Sequence, residues 1–354
     1  MAKALIAMSG GVDSSVAAYI MKEDGYDCIG CTMKLYSNDD AGVPKDHTCC
    51  SLDDVEDAKS VASRLGIPYY VFNFSDDFRE KIICKFIDSY ERGRTPNPCI
   101  DCNRFMKFEK LHERAKILGC DVIVTGHYAR IYKEGEKYVL KKALDETKDQ
   151  SYVLYSMTQE QLAHTRFPLG EMKKSETRVI AEKCGFINAK KPDSQDICFV
   201  PDGDYARVIE LNTGKTYPPG DFIDKDGNVL GKHKGIIHYT IGQRKGLGIA
   251  AAAPLYVLAI DVKNNTVTLG DGGDLFSREV SVEDFHFISG EAPTAPFRCA
   301  AKIRYRQKEQ PATAYPAENG KMTVVFDEPQ RAVTPGQAAV LYDGDVVIGG
   351  GTIV

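Results

Sequence analysis

The chain has 354 residues, 43% of them hydrophobic and 27% charged, which exceeds a single ordinary core and implies two or three globular domains. The net charge of −5 argues against broad nonspecific binding to nucleic acid. No apolar run approaches the roughly 20 residues that span a bilayer, and the apolar stretch in MAKALIAMSGG is too short for a secretory signal. A membrane role is therefore excluded at this level and the cytoplasm is the expected location. Eleven cysteines, an odd number, do not read as a disulfide framework; in a reducing compartment such thiols are buried, metal-binding or catalytic.

In chain order, the spacing of apolar residues predicts a buried strand at 4–9 and a helix at 12–25 ending at glycine. A strand at 27–35 and a helix at 51–66 with Ser51 as N-cap follow, then a strand at 68–74 and a helix at 77–93. After the loop RTPNPCIDC come a helix at 103–119 and a strand at 121–126. Strands alternating with helices imply a mainly parallel sheet covered on both faces, so residues 1–198 read as an α/β domain. Beyond Phe199 the texture turns to Gly, Pro and Asp with short β-prone runs such as PLYVLAID, NTVTLGD and KMTVVFD. These predict a small β-rich middle domain at 199–272 and a C-terminal β-barrel at 273–354.

SGGVDSS, residues 9–15, lies where the first strand hands over to the first helix. Two glycines allow close backbone approach to a ligand, and the helix N-terminus offers free N–H groups to an anion. A phosphate chain is the natural guest. The alternative is a plain strand-to-helix turn capped by Ser9 or Asp13. No lysine follows as in G-x-x-x-x-G-K-[ST], so the clamp used to transfer a terminal phosphoryl group is missing. The loop resembles instead the pyrophosphate loop of ATP pyrophosphatases, which release diphosphate and make an adenylate.

An adenylate needs a nucleophile, which directs attention to the cysteines. Cys99 and Cys102 follow a double-proline loop, and if helical they lie one turn apart, about 5–6 Å between Cβ atoms. Such a pair can form a strained disulfide, share a metal or supply a nucleophile with its partner. A helix start near Asn103, with Arg94 and Arg104, would favour a thiolate. Cys198 sits in the polar segment KPDSQDICFV at the domain seam. Cys28, Cys31, Cys84, Cys120, Cys184 and Cys299 read as small buried hydrophobes. Cys49 and Cys50, after His47, lack a visible set of four tetrahedral ligands and read as structural. Two stretches are basic with no acidic residue: 231–248, with Lys232, Lys234, Arg244 and Lys245, and 298–308, with Arg298, Lys302, Arg304, Arg306 and Lys308. Either a solvated face or a polyanion contact fits them.

The ordered set SGGVDSS, GRTPNPCIDCN, TGHYAR, KDQSYVLY, DSQDICFVPDGDY, YTIGQRKGLGI, KIRYR and PGQAAVLYDGDVVIGGG resembles the bacterial tRNA-specific 2-thiouridylases over essentially the whole chain. The resemblance implies an adenine nucleotide alpha hydrolase-like first domain. It also implies ATP-dependent replacement of the C2 oxygen of the wobble uridine, position 34 of certain tRNAs, by sulfur. On matched positions it places ATP at Ala7, Met8, Ser9, Gly10, Gly11, Val12, Asp13 and Ser14, at the Met33 backbone and at Gly126, with Asp13 a partner for Mg2+. Cys198 matches the cysteine that carries persulfide sulfur, and Cys102 the one that attacks it or closes a disulfide with Cys198 as sulfur leaves. Asn97, Pro98 and Cys99 match the segment that meets an extruded uridine. His127, Lys148, Asp149, Gln150, Arg304, Tyr305 and Gln337 match tRNA-contacting positions, although His127 also suits a satisfied strand-end histidine and Tyr128 a core aromatic. A cysteine desulfurase or sulfur-relay protein is implied as donor.

The sequence departs from a common form of the family at Cys99, where many members have aspartate. The acid–base role of that aspartate cannot be carried over. A soft thiolate there opens a second route, in which Cys99, Cys102 and Cys198 hold three irons of a [4Fe–4S] cluster. A second departure, GIAAAAPLYV at 248–257, places alanines where relatives tend to have glycines. A different class, an ATP pyrophosphatase aminating a small acid or amide, explains SGGVDSS but leaves CIDC, Cys198 and the β-rich C-terminal third without work. A noncatalytic RNA-binding or metal-sensing protein is the remaining alternative.

Overall fold

The computed structural model describes residues 1–37, 52–193 and 197–354. The expectations for His47, Cys49, Cys50 and Ser51, and for the polar residues 194–196 before Cys198, lie outside the described residues. Among the described residues no helix is long and apolar enough to cross a membrane.

Five parallel strands form the first sheet in the order β3-β2-β1-β4-β7, with β1 Lys3–Ala7, β2 Asp27–Lys34, β3 Tyr69–Asn73, β4 Val122–Val124 and β7 Thr165–Arg166. The period of two in β1 sorts its side chains onto two cores. Ala4 and Ile6 join Val16 and Ala17 of helix α1 (Val12–Glu23) and Ala58, Val61 and Ala62 of α2 (Leu52–Leu65). Leu5 turns to the other face and packs with Ile29, Cys31, Leu111, Ala115 and Ile123. Both faces are therefore covered, as the alternating pattern predicts.

The helices on the second face begin earlier than their apolar patterns suggest. Helix α3 runs over 75–91, and α4 over 98–117 instead of starting at 103. Pro98 reads as a loop residue, but at the first helical position its missing N–H costs nothing and its φ is preset. The Asn97 side chain caps the turn by accepting from the Cys99 N–H at 3.2 Å. CIDC thus belongs to the helix, and from Cys102 to Lys110 that helix widens to a π-type turn.

Strands β5 (Ala129–Glu134) and β6 (Lys137–Lys142) form a hairpin that the α/β pattern does not announce. The hairpin continues the C-terminal sheet through the Val346–Lys141 pair. Helix α5 (Gln159–Ala163) packs with the hairpin through Leu162, α6 (Lys174–Lys183) joins the α1 face through Ala181, and α7 (Tyr205–Thr213) joins the apolar cluster of α3 through Ala206, Val208 and Ile209. A four-stranded sheet follows in the order β10-β11-β8-β9, built from β8 Gly220–Ile223, β9 Val229–His233, β10 Tyr256–Asp261 and β11 Thr266–Gly270. Its Phe222, Val257, Val267 and Leu269 share one core with Phe78, Ile82 and Phe86 of α3.

The last unit is a six-stranded barrel in the order β12-β15-β14-β13-β16-β17. Its strands are β12 Phe276–Phe287, β13 Phe297–Lys302, β14 Gln310–Pro316, β15 Met322–Arg331, β16 Ala338–Asp343 and β17 Val346–Ile353. Antiparallel pairing of β12 with β17, Val282 opposite Ile353, closes it and removes the sheet edges. Gly349 permits the closure, because a Cβ there would sit 2.0 Å from the His286 carbonyl oxygen.

Phe199, next to Cys198, is 1% exposed and packs edge-on against Phe78 and Phe86 at 5.8 and 5.2 Å between ring centroids. Phe199→Ala is expected to lower stability by ~3–5 kcal/mol in denaturant unfolding, while Phe199→Leu costs much less. Equal stability of wild type and Phe199→Ala would remove this residue from the core account.

Candidate functional site

The loop between β1 and α1 is shaped by what it excludes. Gly10 adopts φ +74° and lies against helix α2, where a Cβ would meet the Asp54 carbonyl oxygen at 2.5 Å. Gly126, just beyond β4, faces the first turn of α1, where a Cβ would meet Asp13 C and Ser14 N at 2.8 Å. Both are places where only glycine lets backbone approach backbone. Helix α1 starts from Gly11 with no side-chain cap, so neither Ser9 nor Asp13 uses up its N–H groups. Hydroxyls instead brace the loop from inside. The Ser9 N–H donates to Ser14 Oγ at 3.1 Å, and Ser14 and Ser15 hydroxyls donate to the Gly11 carbonyl at 3.0 and 3.1 Å. Asn188 holds the outside, its amide donating to the Gly10 carbonyl and to Ser15 Oγ at 2.9 Å each.

Ala7 ends β1, Val12 is buried under the loop, and Met8 ties the loop to β2. Its N–H donates to the Cys31 carbonyl at 2.7 Å, and its carbonyl accepts from Thr32 Oγ1 at 2.6 Å. Met33, also on β2, is half-buried one residue beyond Thr32. An uncapped helix N-terminus behind two close-packed glycine contacts is a cradle for an anion the size of a phosphate chain.

A web of charge surrounds Asp13. The buried Lys174, at the start of α6, donates to both Asp13 carboxylate oxygens at 2.7 Å and pairs with Asp193 at 2.8 Å. The Tyr128 hydroxyl donates to Asp13 at 2.9 Å, and burial followed by the Asp13 charge pushes its phenol up. Tyr128 is therefore both a core aromatic and a neighbour of the site. Asp193 also receives Lys148 at 2.9 Å and Arg178 at 3.1 Å. Burial opposes its ionisation, but the bonds from Lys174 and Lys148 outweigh burial and hold its carboxyl below the usual range. Lys174 and Asn188 carry no recognisable sequence signal; only the fold brings them to the loop.

The cysteines occupy three environments. Cys99 is exposed in the first turn of α4. Cys102 and Cys198 are both half-buried and pack against the same apolar cluster of Leu35, Tyr36, Phe78, Phe86 and Phe199. The Tyr36 hydroxyl donates to the Cys198 carbonyl at 2.6 Å. Burial pushes the Cys102 thiol up to about 11, against the pull of Lys107. This corrects the expectation of an activated thiolate: the helix starts at Pro98, so its positive end lies at Cys99 and leaves Cys102 among apolar side chains. No disulfide joins Cys102 and Cys198 in this structure. Of the six cysteines expected to be buried, Cys28 and Cys31 are, Cys120, Cys184 and Cys299 are half-buried, and Cys84 is exposed.

The residues matched to tRNA contacts divide into exposed and internal ones. Tyr305 is 36% exposed, and burial with nearby Asp149 and Cys99 pushes its phenol up, which brings three of them into one neighbourhood. Pro98 is buried and Asn97 half-buried. The Asp149 carboxylate accepts from Ala143 N and Ser151 N, and Gln150 Oε1 accepts from Tyr128 N at 3.0 Å. His127 is buried, with Lys107 3.3 Å from Nε2 and Thr125 Oγ1 2.6 Å from Nδ1. Burial and the Lys107 charge push this imidazole well below its usual value, so it is neutral, accepts from Lys107 and donates to Thr125. Arg304 donates to Ala332 O at 2.9 Å and Thr334 Oγ1 at 2.7 Å, and Gln337 donates to Thr95 O at 2.7 Å. The two basic stretches find acids elsewhere in the chain, Lys232 at Asp221 and Arg298 at Asp327, while Lys234, Arg244, Lys245, Arg306 and Lys308 stay exposed.

Asp13 is a hard carboxylate of the kind Mg2+ takes alongside water and phosphate oxygens, but here both of its oxygens are bonded by Lys174, so holding the ion would require sharing or displacing that ammonium. A cluster fits less well. Among the described residues no group of three or more His, Cys, Asp or Glu side chains is gathered to hold a metal, so Cys99, Cys102 and Cys198 do not form a ligand set here.

Gly126→Ala is expected to displace the first turn of α1, lowering the melting temperature and weakening nucleotide binding at least about tenfold, read by thermal unfolding and equilibrium binding. Because the thiol of Cys102 titrates near 11, its alkylation should rise about tenfold per pH unit from neutral to about pH 10. A plateau below pH 8 would contradict the buried, neutral thiol.

Three family models match in succession: the tRNA methyl transferase HUP domain over residues 2–202, the tRNA methyl transferase PRC-barrel domain over 209–271 and the aminomethyltransferase beta-barrel domain over 277–353. The tRNA-specific 2-thiouridylase of Acetivibrio thermocellus is 55% identical over 354 residues, 99% of each chain. That of Clostridioides difficile strain 630 is 52% identical over 353 residues, 99% of this chain and 98% of the relative. With identity above one half sustained from end to end, the chain belongs to the family of the tRNA-specific 2-thiouridylases.

Proposed function

We propose that the protein is an ATP-dependent tRNA-uridine 2-sulfurtransferase that replaces the C2 oxygen of the wobble uridine with sulfur and releases AMP and diphosphate. The observation that carries this reading is the pairing of an uncapped, glycine-lined helix N-terminus with two cysteines, Cys102 and Cys198, on one apolar cluster. Relatives matched over the full length are named tRNA-specific 2-thiouridylases, which supports the tRNA substrate and the 2-thiolation.

The C2 carbonyl of uracil lies between two nitrogens and is a poor electrophile, so its oxygen must first become a leaving group. In the proposed sequence that oxygen attacks the α-phosphorus of ATP, diphosphate leaves, and the loop from Ala7 to Ser14 with Gly126 holds the departing phosphates. Mg2+ at Asp13 would neutralise their charge. The terminal sulfur of a persulfide on Cys198 then attacks C2. Cys102 next attacks Cys198 Sγ, the S–S bond of the persulfide breaks, and its electron pair passes to the sulfur on C2 as AMP departs. The two cysteines are oxidised to a disulfide while the transferred sulfur is reduced, so an external dithiol must restore the pair each turn. Because Cys102 is neutral at pH 7, this attack requires loss of its proton, and Lys107 is the cation placed to favour it.

The exposed neighbourhood of Tyr305 and Cys99, with Asn97 and Pro98 beside it, is proposed to receive the extruded uridine. Asp149, Gln150, Lys148, Arg304 and His127 are proposed to hold that surface from behind. The persulfide sulfur is proposed to come from a cysteine desulfurase or relay protein in the cytoplasm, with the working units dividing near residues 198 and 272. No step is assigned to an iron–sulfur cluster.

The test is nucleoside mass spectrometry of unmodified tRNA incubated with the protein, Mg-ATP and a persulfide donor. Wild type should form 2-thiouridine, and Cys102→Ser and Cys198→Ser should form none while still binding ATP and tRNA. Cys99→Asp should stay active in air. Thiolation at the wild-type rate by either serine variant would refute the proposed sulfur route, and consumption of ATP with ammonia and a small acid in the absence of tRNA would replace the function.

A further inference from the structure

The loop that leads into Cys99 is a meeting point of all three parts of the chain. Gly93, at φ +70°, lies against the middle sheet, where a Cβ would be 3.1 Å from Ile260 and 3.2 Å from Val262. Two residues on, Thr95 Oγ1 is 3.2 Å from Thr240 Oγ1. The barrel then grips the Thr95 backbone from both sides: its N–H donates to the Pro335 carbonyl at 2.8 Å, and its carbonyl accepts from Gln337 Nε2 at 2.7 Å. Between these two bonds sits Gly336, at φ +93°, where a Cβ would fall 2.9–3.0 Å from Thr95 N, C and O.

The gripping segment is itself fixed. The Gly336 N–H donates to the Ile353 carbonyl and the Ile353 N–H returns a bond to the Gln337 carbonyl, both at 2.8 Å, which anchors the segment to the end of β17. Arg304 braces its start, with one guanidinium nitrogen directed at Ala332 O and Thr334 Oγ1, while its buried Nε has no hydrogen-bond partner. Two residues matched to RNA contacts therefore spend donors inside the protein, on the path from the barrel to Thr95. Pro96 and Pro98 leave little torsional slack between Thr95 and the helix turn that carries Cys99 and Cys102.

We infer that residues 332–337 of the barrel form a clamp on Thr95 that sets the position of the Cys99–Cys102 turn, and that Gly336 and Gln337 are positioning residues for sulfur transfer. A barrel seated on RNA would thereby hold the cysteine turn in register with the uridine. The inference rests on the proposed thiolation only for its turnover readout.

The test uses the full chain carrying Gly336→Ala or Gln337→Glu. The second variant keeps an acceptor for RNA but removes the N–H donor to Thr95. Three quantities are read: the iodoacetamide rate of Cys99 relative to the exposed Cys84 by peptide mass spectrometry, the tRNA Kd, and the single-turnover thiolation rate. Both variants should change the Cys99-to-Cys84 ratio, and Gly336→Ala should leave tRNA Kd unchanged. Their single-turnover thiolation rate at saturating tRNA should fall by up to about a hundredfold, the scale of a 1 Å misplacement. An unchanged ratio in both variants, or a loss in Gly336→Ala that resides in tRNA Kd, overturns the clamp. Should Gly336→Ala fail to fold, Gln337→Glu decides by the Cys99 ratio, and an unchanged ratio overturns the clamp. The Cys99 ratio and the tRNA Kd are read without turnover, so an inactive wild type would count against the function while the clamp is still decided by Cys99.

Discussion

The site depends on backbone-to-backbone contact at two glycines. The first turn of α1 lies so close to Gly126, and the loop so close to α2 at Gly10, that no Cβ fits at either point. These contacts hold the helix N-terminus at the carboxyl edge of the parallel sheet, where ligands of open α/β folds bind. The helix is left without a side-chain cap, so its N–H groups face outward with a partial positive charge. A turn capped by Ser9 or Asp13 would have been more stable and less useful. Here the hydroxyls of Ser14 and Ser15 turn inward and stabilise the loop without closing it.

Burial sets the state of the cysteines in the same way that close contact sets the loop between β1 and α1. Cys102 and Cys198 share an apolar cluster with Phe78, Phe86 and Phe199, and that environment keeps the Cys102 thiol protonated at neutral pH. A thiol held this way resists adventitious oxidation. The same cluster continues into the middle sheet through Phe222 and Val257, so the cysteine environment and the middle domain share a single packing unit. The domains are coupled mechanically as well as joined in sequence.

Much of this was legible in the residues. The apolar run ALIAMS, the glycine pair in SGGVDSS and the change of texture after Phe199 follow from burial, turn chemistry and composition, and the sheets and barrel answer to them. The start of α4 is hidden in the sequence because Pro98 looks like a breaker until its place at the first helical position is known. The hairpin at 129–142 pairs locally, β5 with β6, but its strands are short and largely polar and so stand outside the apolar runs of the α/β pattern; its attachment to β17, about 200 residues away, is encoded by no local propensity. Lys174 and Asn188 lie outside every motif, and Thr95 stands within GRTPNPCIDCN without a legible role; all three matter through contacts that only the fold creates. Arg304 shows the limit of reading charge, since a cation in a basic stretch turned out to brace a loop.

The central claim is that the C2 oxygen of uridine leaves as part of AMP. The direct measurement is isotopic: tRNA carrying oxygen-18 at C2 of the wobble uridine, single turnover with Mg-ATP and persulfide donor, and mass analysis of the products. The account predicts one labelled oxygen in AMP for each 2-thiouridine formed, with diphosphate unlabelled. Label appearing in water or in diphosphate, with AMP unlabelled, would contradict adenylation of the base and with it the role assigned to the loop.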